Sequence, residues 1–344
     1  MNTDEINDHV SLLRDETPIV DVRAPAEFER GAIASAANIP ILDDAERESV
    51  GLAYKHNGRD AAVTKGHQIV QGSVKSERIA RWREFIAKHP QAVLCCWRGG
   101  MRSQLAQAWL AEQGVRVPRV AGGTKALRQC CMQTLEQAQS RTFVVVAGRT
   151  GSGKTGLLRS LTHSIDLEGL ANHRGSAFGA LTTPQPKPIS FEFSLATQLL
   201  NMEAHRTILI EDESPMIGRL RVPEPIVSAI SNAPIVLLTV PRKKRISLTY
   251  ESYVAGTSGD VLRTNLSKIR KRLGDVRYNE VLSSLELALE QNNKRDHYKW
   301  IGLLLDYYYD PMYDYQLAKK TSRIEFEGDE SALKSHLESN HGIH

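Results

Sequence analysis

The sequence predicts an α/β protein made of two parallel-sheet units in tandem, the second ending in a mainly helical part. Three observations carry this. Short apolar runs rich in Val, Ile and Leu recur along the chain, helical spacing separates them, and two runs lead directly into glycine-containing loops that open helices. The boundaries that follow are residues 1–125 for the first unit, 126–140 for a connecting helix and 141–344 for the second unit.

The elements follow in order. Pro18–Val22 and Ala92–Cys96 are short apolar runs and read as buried strands. Ser103–Gln113 places Leu105, Ala106, Trp109 and Leu110 at helical spacing, and Gly114 supplies a stop. Val115–Val120 returns as a strand ending at Gly122-Gly123. Thr124–Ser140 is helical and Gln-rich. Thr142–Ala147, Ile208–Ile210 and Ile235–Val240 are the strands of the second unit, and from about Ile246 the pattern is mainly helical.

Composition suits folded, soluble domains. The chain has 344 residues, 41% hydrophobic and 24% charged, with scattered Gly and Pro, which excludes a collagen-like rod and a disordered tail. No apolar run reaches the ~18 residues a membrane span needs. Met1–Glu5 has no signal-peptide pattern, so the expected location is the cytoplasm. Four cysteines in two adjacent pairs, Cys95-Cys96 and Cys130-Cys131, suit a reducing compartment. Two cores of this size need no partner for stability, so a monomer is expected.

Charge is unevenly spread. Residues 1–120 hold 16 basic against 16 acidic side chains, whereas 241–275 hold nine basic against three acidic. Within that segment Arg242, Lys243, Lys244, Arg245, Lys268, Arg270, Lys271 and Arg272 form a candidate polyanion surface. A solvated helix face accounts for the charge equally well.

Two motifs carry chemistry. Gly148-Arg149-Thr150-Gly151-Ser152-Gly153-Lys154-Thr155 has the spacing of a P-loop. Gly148, Gly151, Ser152 and Gly153 let backbone N–H groups turn around a phosphate, Lys154 reaches the outer phosphate, and Thr155 can hold Mg²⁺. A partner carboxylate is expected at the end of a later strand. Glu211, Asp212 and Glu213 are its candidates, with Asp212 or Glu211 favoured and Asp212 paired with Thr155 as the Mg²⁺ ligands. In the second motif, Cys96-Trp97-Arg98-Gly99-Gly100-Met101-Arg102-Ser103, a thiol lies at a helix N-terminus between two guanidiniums. That setting favours thiolate and marks Cys96 as a nucleophile, with Arg98, Gly99, Gly100 and Arg102 forming an anion pocket. Cys95, inside the strand, points the other way and is structural.

Asp21-Val22-Arg23, Glu27-Phe28, Gly31, Ile33, Ala37-Asn38-Ile39-Pro40 and the cysteine loop together resemble a rhodanese domain, a family that carries sulfur or selenium on its loop cysteine. The Cys96-x5-Arg102 spacing is one residue longer than in usual sulfurtransferases and resembles that of tyrosine phosphatases. A rhodanese-like unit followed by a P-loop unit, with His173-Arg174-Gly175-Ser176-Ala177-Phe178-Gly179 and Glu211-Asp212-Glu213-Ser214, resembles the tRNA 2-selenouridine synthase family over essentially the whole chain.

The resemblance implies a transferase acting on wobble uridine 34 of the tRNAs for Lys, Glu and Gln. It implies selenophosphate as selenium donor, geranyl diphosphate as donor of an S-geranyl group, and no tightly bound organic cofactor. In that reading Cys96 takes up selenium, the Arg98–Arg102 loop holds selenophosphate, and the P-loop with His173 and Arg174 holds diphosphate. A selenophosphate-producing enzyme is then an expected partner. Tyr307–Tyr315 offers aromatic faces for bases, although packing at a helix end explains it better. Two other classes compete: a Cys-x5-Arg phosphatase or sulfurtransferase fused to a P-loop unit, with Asp60 the one candidate general acid for the phosphatase, and a non-catalytic nucleotide-gated RNA-binding module.

Overall fold

A computed structural model describes residues 4–181 and 183–344. It divides into two compact units. The first comprises the chain up to Glu136 together with Pro186–Asn201; the second comprises Gln137–Gln185 and Met202–His344.

The first unit is built on a parallel sheet of β1 (Glu5–Ile6), β2 (Ile19–Asp21), β3 (Ala36–Asn38), β4 (Val93–Cys95) and β5 (Arg119–Val120), in the order β1-β5-β4-β2-β3. β2 and β4 lie in the interior of the sheet and every one of their residues is buried, which explains their unbroken apolar sequence. Only Arg119–Val120 of the expected strand 115–120 pairs; Pro118, which lacks an N–H, ends the pairing. The core centres on Trp82, fully buried, whose Nε1 donates to the Ile39 carbonyl at 2.8 Å and whose ring stacks on Trp109.

Two features depart from the sequence expectation. Helix Gly123–Gln137 does more than connect: it buries Leu127, Cys131 and Leu135 in the first unit. Helix Pro188–Leu200, from the second half of the chain, also belongs to the first unit and buries Phe191, Phe193, Leu195 and Leu199. Polar contacts fix it: Thr197 Oγ1 donates to the Leu13 carbonyl at 3.3 Å, Asn201 Nδ2 to the Arg14 carbonyl at 3.0 Å, and Ser190 Oγ accepts from the Ala32 N–H at 3.0 Å. A helix apolar on several faces must be covered, and burying each phenylalanine stabilises by about 1.5–3 kcal/mol.

The second unit has a parallel sheet of β6 (Phe143–Ala147), β7 (Ser164–Ile165), β8 (Ile208–Glu211), then, past a hairpin of β9 (Met216–Ile217) and β10 (Leu220–Arg221), β11 (Ile235–Leu238) and β12 (Ile324–Gly328). The order is β12-β11-β6-β8-β7. β6, β8 and β11 are buried throughout. Between β11 and β12 the chain forms helices with their own core around Leu266, Val281, Leu285, Trp300 and Ile301. Two turns of this region, Tyr250–Val254 and Leu305–Tyr309, are π-helical.

Candidate functional sites

The cysteine loop leaves the end of β4 and enters helix Met101–Glu112. Cys95 and Cys96 point to opposite sides, as strand alternation requires. Cys95 Sγ lies 3.3 Å from Thr124 Oγ1, and burial pushes its thiol far above the ordinary range, which suits the structural role read from sequence. Cys96 Sγ lies 3.2 Å from Ser103 Oγ. The loop backbone is held from beneath: Thr124 N–H donates to the Cys96 carbonyl at 2.9 Å and Lys125 N–H to the Trp97 carbonyl at 3.0 Å. Gly123, at φ +62°, makes this approach feasible, because a Cβ there would lie 2.1 Å from the Cys96 carbonyl oxygen. Sequence reading treated Gly122-Gly123 only as a strand end.

The two arginines differ. Arg98 is exposed and, among the described residues, makes no hydrogen bond or ion pair. Arg102 forms a fork on Glu27 at 2.5 and 3.2 Å, and Arg47 approaches the same carboxylate at 3.1 Å. Burial pushes Glu27 up, but the Arg102 hydrogen bond and the two positive charges outweigh it and hold the carboxyl below its ordinary value. The turn carrying Glu27 is fixed by the buried Asp21–Arg23 pair at 2.7 Å, with Arg23 donating onward to the Glu27 carbonyl. A cavity of about 540 Å³ opens beside the loop, lined in part by Arg98, Met101 and Arg102. Asp60 is exposed and absent from its lining, so the aspartate general acid expected for a phosphatase is not placed at the loop.

The P-loop borders a second, larger cleft of about 1260 Å³. Gly151 and Gly153 adopt φ of +77° and +83°, and helix Lys154–Arg159 begins directly after them. Lys154 Nζ donates to the Gly148 carbonyl at 2.6 Å, folding over the loop. Thr155 Oγ1 donates to Glu211 Oε1 at 3.0 Å and lies 3.2 Å from Glu168 Oε2. Asp212 does not reach Thr155; it forms an ion pair with Lys320 at 2.5 Å. The expected Thr155–Asp212 pair is therefore replaced by Thr155–Glu211. Asp212 lines the same cleft, but its carboxylate is taken up by Lys320, whereas Glu211 at the end of the strand reaches the Thr155 hydroxyl.

Glu211, Glu168 and Glu213 crowd this position. Burial, then neighbouring carboxylates, pushes Glu211 up to about 8; burial pushes Glu168 and Glu213 up to about 7, helped by the charge of Glu213 on Glu168 and of Glu211 on Glu213. These oxygens, with the Thr155 hydroxyl, are the hard donors that Mg²⁺ takes. Glu168 carries no motif signal and escaped sequence reading. His173 and Arg174 line the same cleft. Arg174 lies over the Tyr253 ring at 5.1 Å, while His173 Nδ1 and Ser152 Oγ are buried without partners among the described residues, leaving polar atoms that a ligand can satisfy.

The basic segment is not one surface. Arg245 is buried, forks onto Asp310 and donates to the Thr150 carbonyl of the P-loop at 2.9 Å, so it supports the cradle and cannot meet RNA. Arg242 is paired with Asp306 and Arg270 with Asp275. Lys268 bonds Asn265, and Arg272 bonds the Tyr308 hydroxyl and lines the cleft. Lys243, Lys244 and Lys271 are exposed, with no side-chain partner among the described residues. Of the tyrosine run, Tyr308 and Tyr309 are packed in the helical core and Tyr315 is exposed.

Comparison with known proteins adds identity to this geometry. Residues 141–343 match the family model for the tRNA 2-selenouridine synthase AAA domain, and residues 5–130 match the rhodanese-like domain. Relatives described as tRNA 2-selenouridine synthase include one from Sulfurovum sp., 44% identical over 96% of this chain and 97% of its own length. Another from Hahella chejuensis is 41% identical over 97% and 94%. Among solved structures, the N-terminal domain of an ATP/GTP binding protein from Clostridium difficile covers 36% of this chain and 95% of its own at 34% identity, with a TM-score of 0.33, too low to bear on the fold. No helix among the described residues is long and apolar enough to cross a membrane.

Proposed function

The chain belongs to the tRNA 2-selenouridine synthase family, and from that premise we propose that it replaces sulfur by selenium at C2 of wobble 2-thiouridine in tRNA, through an S-geranylated intermediate. The observation that supports this reading best is the pairing of two different sites in one chain: a cysteine in a cationic, glycine-lined loop, and a phosphate cradle beside a carboxylate cluster.

In the cleft, the P-loop N–H groups and Lys154 hold the diphosphate of geranyl diphosphate. The 2-thio sulfur attacks the geranyl C1, a C–S bond forms, the C–O bond breaks, and diphosphate leaves into a site built for its charge. Thr155 and Glu211 would hold Mg²⁺, which when bound neutralises part of that charge. Geranylation turns a poor leaving group into a thioether. At the cysteine loop, Arg98 and the Gly99 and Gly100 N–H groups face the phosphate oxygens of selenophosphate, and Cys96 engages its selenium. At C2 the selenium of selenophosphate attacks, the C–Se bond forms as the C–S bond breaks, and geranyl thiol departs with a proton from solvent; water then attacks phosphorus, the P–Se bond breaks and phosphate leaves the loop. Selenium enters and sulfur leaves as divalent chalcogenides, so the exchange at C2 needs no oxidant.

Exposed Lys243, Lys244 and Lys271 supply phosphate contacts to the tRNA. Nucleoside mass spectrometry on 2-thiouridine-containing tRNA, with selenophosphate and geranyl diphosphate, tests the scheme. Cys96→Ser should stop at the geranylated nucleoside, and Lys154→Ala should leave 2-thiouridine unmodified while still selenating tRNA that is already geranylated. Full geranylation by Lys154→Ala would remove the P-loop from that step.

A further inference from the structure

The cavity beside the cysteine loop is larger and more apolar than an anion requires. Helix Asp44–Ile69 contributes Val50, Ala62 and Val63 to one wall, and Leu42, Leu105 and Trp109 contribute to its lining from other elements. Tyr54, Arg59, His67, Arg98 and Arg102 form the polar part of the same lining, and Cys96 belongs to the packed cluster that includes Leu42 and Trp109. The helix itself is a loose cover. Over 26 residues it buries only Ala62, and it departs from helical geometry at Gly58, where φ is +81°. Selenophosphate would use the loop's N–H groups and arginines and leave the hydrocarbon walls empty.

An occupant must therefore be apolar, extended and chemically joined to something that reacts at the cysteine loop. A cavity of about 150 Å³ accepts benzene, so 540 Å³ suits a branched ten-carbon chain with part of a base attached. Resting on the function proposed above, we propose that this cavity binds the geranyl group of the S-geranylated uridine. The hydrocarbon seats in the apolar walls and presents C2 to the selenium donor held at the loop. The unit that exchanges selenium thereby selects the geranylated base over plain 2-thiouridine, and after exchange the cavity holds the departing geranyl thiol.

Titration calorimetry of the full chain with S-geranyl-2-thiouridine and S-methyl-2-thiouridine nucleosides tests this without turnover. The S-geranyl nucleoside should bind at least tenfold more tightly to the wild type. Val63→Trp, which fills the cavity, should bring the two within about twofold; Leu105→Phe, made independently, should narrow the gap in the same direction and serves if the larger residue prevents folding. Equal affinities in the wild type overturn the proposal, as does a tenfold preference that survives in a folded cavity-filling variant, since the chain is then bound elsewhere. The wild type's geranylation of tRNA is read separately by mass spectrometry. A wild type that prefers the S-geranyl nucleoside but makes no geranylated tRNA supports the cavity and rejects the P-loop assignment.

Discussion

Gly123→Ala is the sharpest test of how the cysteine loop is held. The substitution acts in two ways. At φ +62° an alanine costs about 1–2 kcal/mol of backbone strain. Its Cβ would also lie 2.1 Å from the Cys96 carbonyl oxygen and 2.4 Å from Gly99 N, whereas Cβ atoms essentially never approach within 3.0 Å. The loop must retreat by 3.0 − 2.1 Å, about 0.9 Å, and displacement on that scale costs about 100-fold in rate when it misplaces a reacting group. Strain alone should lower the melting point of the first unit by about 2–8 °C. Gly114→Ala is the control, since Gly114 has φ +76° and no atom within 4 Å of its would-be Cβ. Gly114→Ala should show the loss from strain alone and Gly123→Ala a larger loss, by about 1–3 kcal/mol for the clash, and only Gly123→Ala should lose selenation of pre-geranylated tRNA, with geranylation itself preserved. Equal selenation by both variants would refute the idea that this close approach positions Cys96.

Other predictions rest on the second unit. Glu211→Gln should lower geranylation by at least 100-fold while selenation of geranylated tRNA persists, a split that mass spectrometry of the two steps measures directly. Because Glu168, Glu211 and Glu213 are pushed up to about 7–8 in the folded state, that state binds more protons than the unfolded chain between the ordinary carboxyl value and pH 8. Their contribution to stability therefore falls as pH rises from about 4.5 to 8. Calorimetry should show a melting point that drops over that range, less steeply in Glu211→Gln, and Mg²⁺ should raise it more at pH 8 than at pH 6. Changing Lys243, Lys244 and Lys271 together to Gln should reduce the log–log salt slope of tRNA binding by about 2–3. Arg245→Ala should instead destabilise the second unit by about 1–3 kcal/mol, seen as a lower denaturation midpoint, because it leaves half-buried Asp310 and the Thr150 carbonyl without their donor.

What the sequence made legible was local. The P-loop could be read because β6 is an unbroken apolar run and the glycine spacing that follows is dictated by phosphate geometry. The cysteine loop was equally compact. Glu211 and Asp212 could not be separated, because a strand buried on both faces has no polar alternation to set its phase. The basic segment looked like one patch because the acids that neutralise it, Asp306 and Asp310, come some sixty residues later. Gly123 and Glu27 serve the loop across gaps of 27 and 75 residues, beyond any motif window. In contrast, β12 carried a visible alternation, Ile324-Glu325-Phe326-Glu327, which is half-buried at the sheet edge and was absorbed into a mainly helical reading.

Helix Pro188–Leu200 sets an order of events during synthesis. The chain emerges N-terminus first, and the first unit lacks this helix until residue 201 has been made. From Glu136 to Asn201 is 65 residues, which takes roughly 3–13 s at ribosomal speeds. During that interval the surface around Leu13, and the Ala32 N–H that Ser190 later satisfies, await their cover, while β6 and the P-loop have already been made. The nascent first unit is thus completed by a segment encoded inside the second, and a stop codon anywhere between them yields a cysteine loop on an unfinished domain.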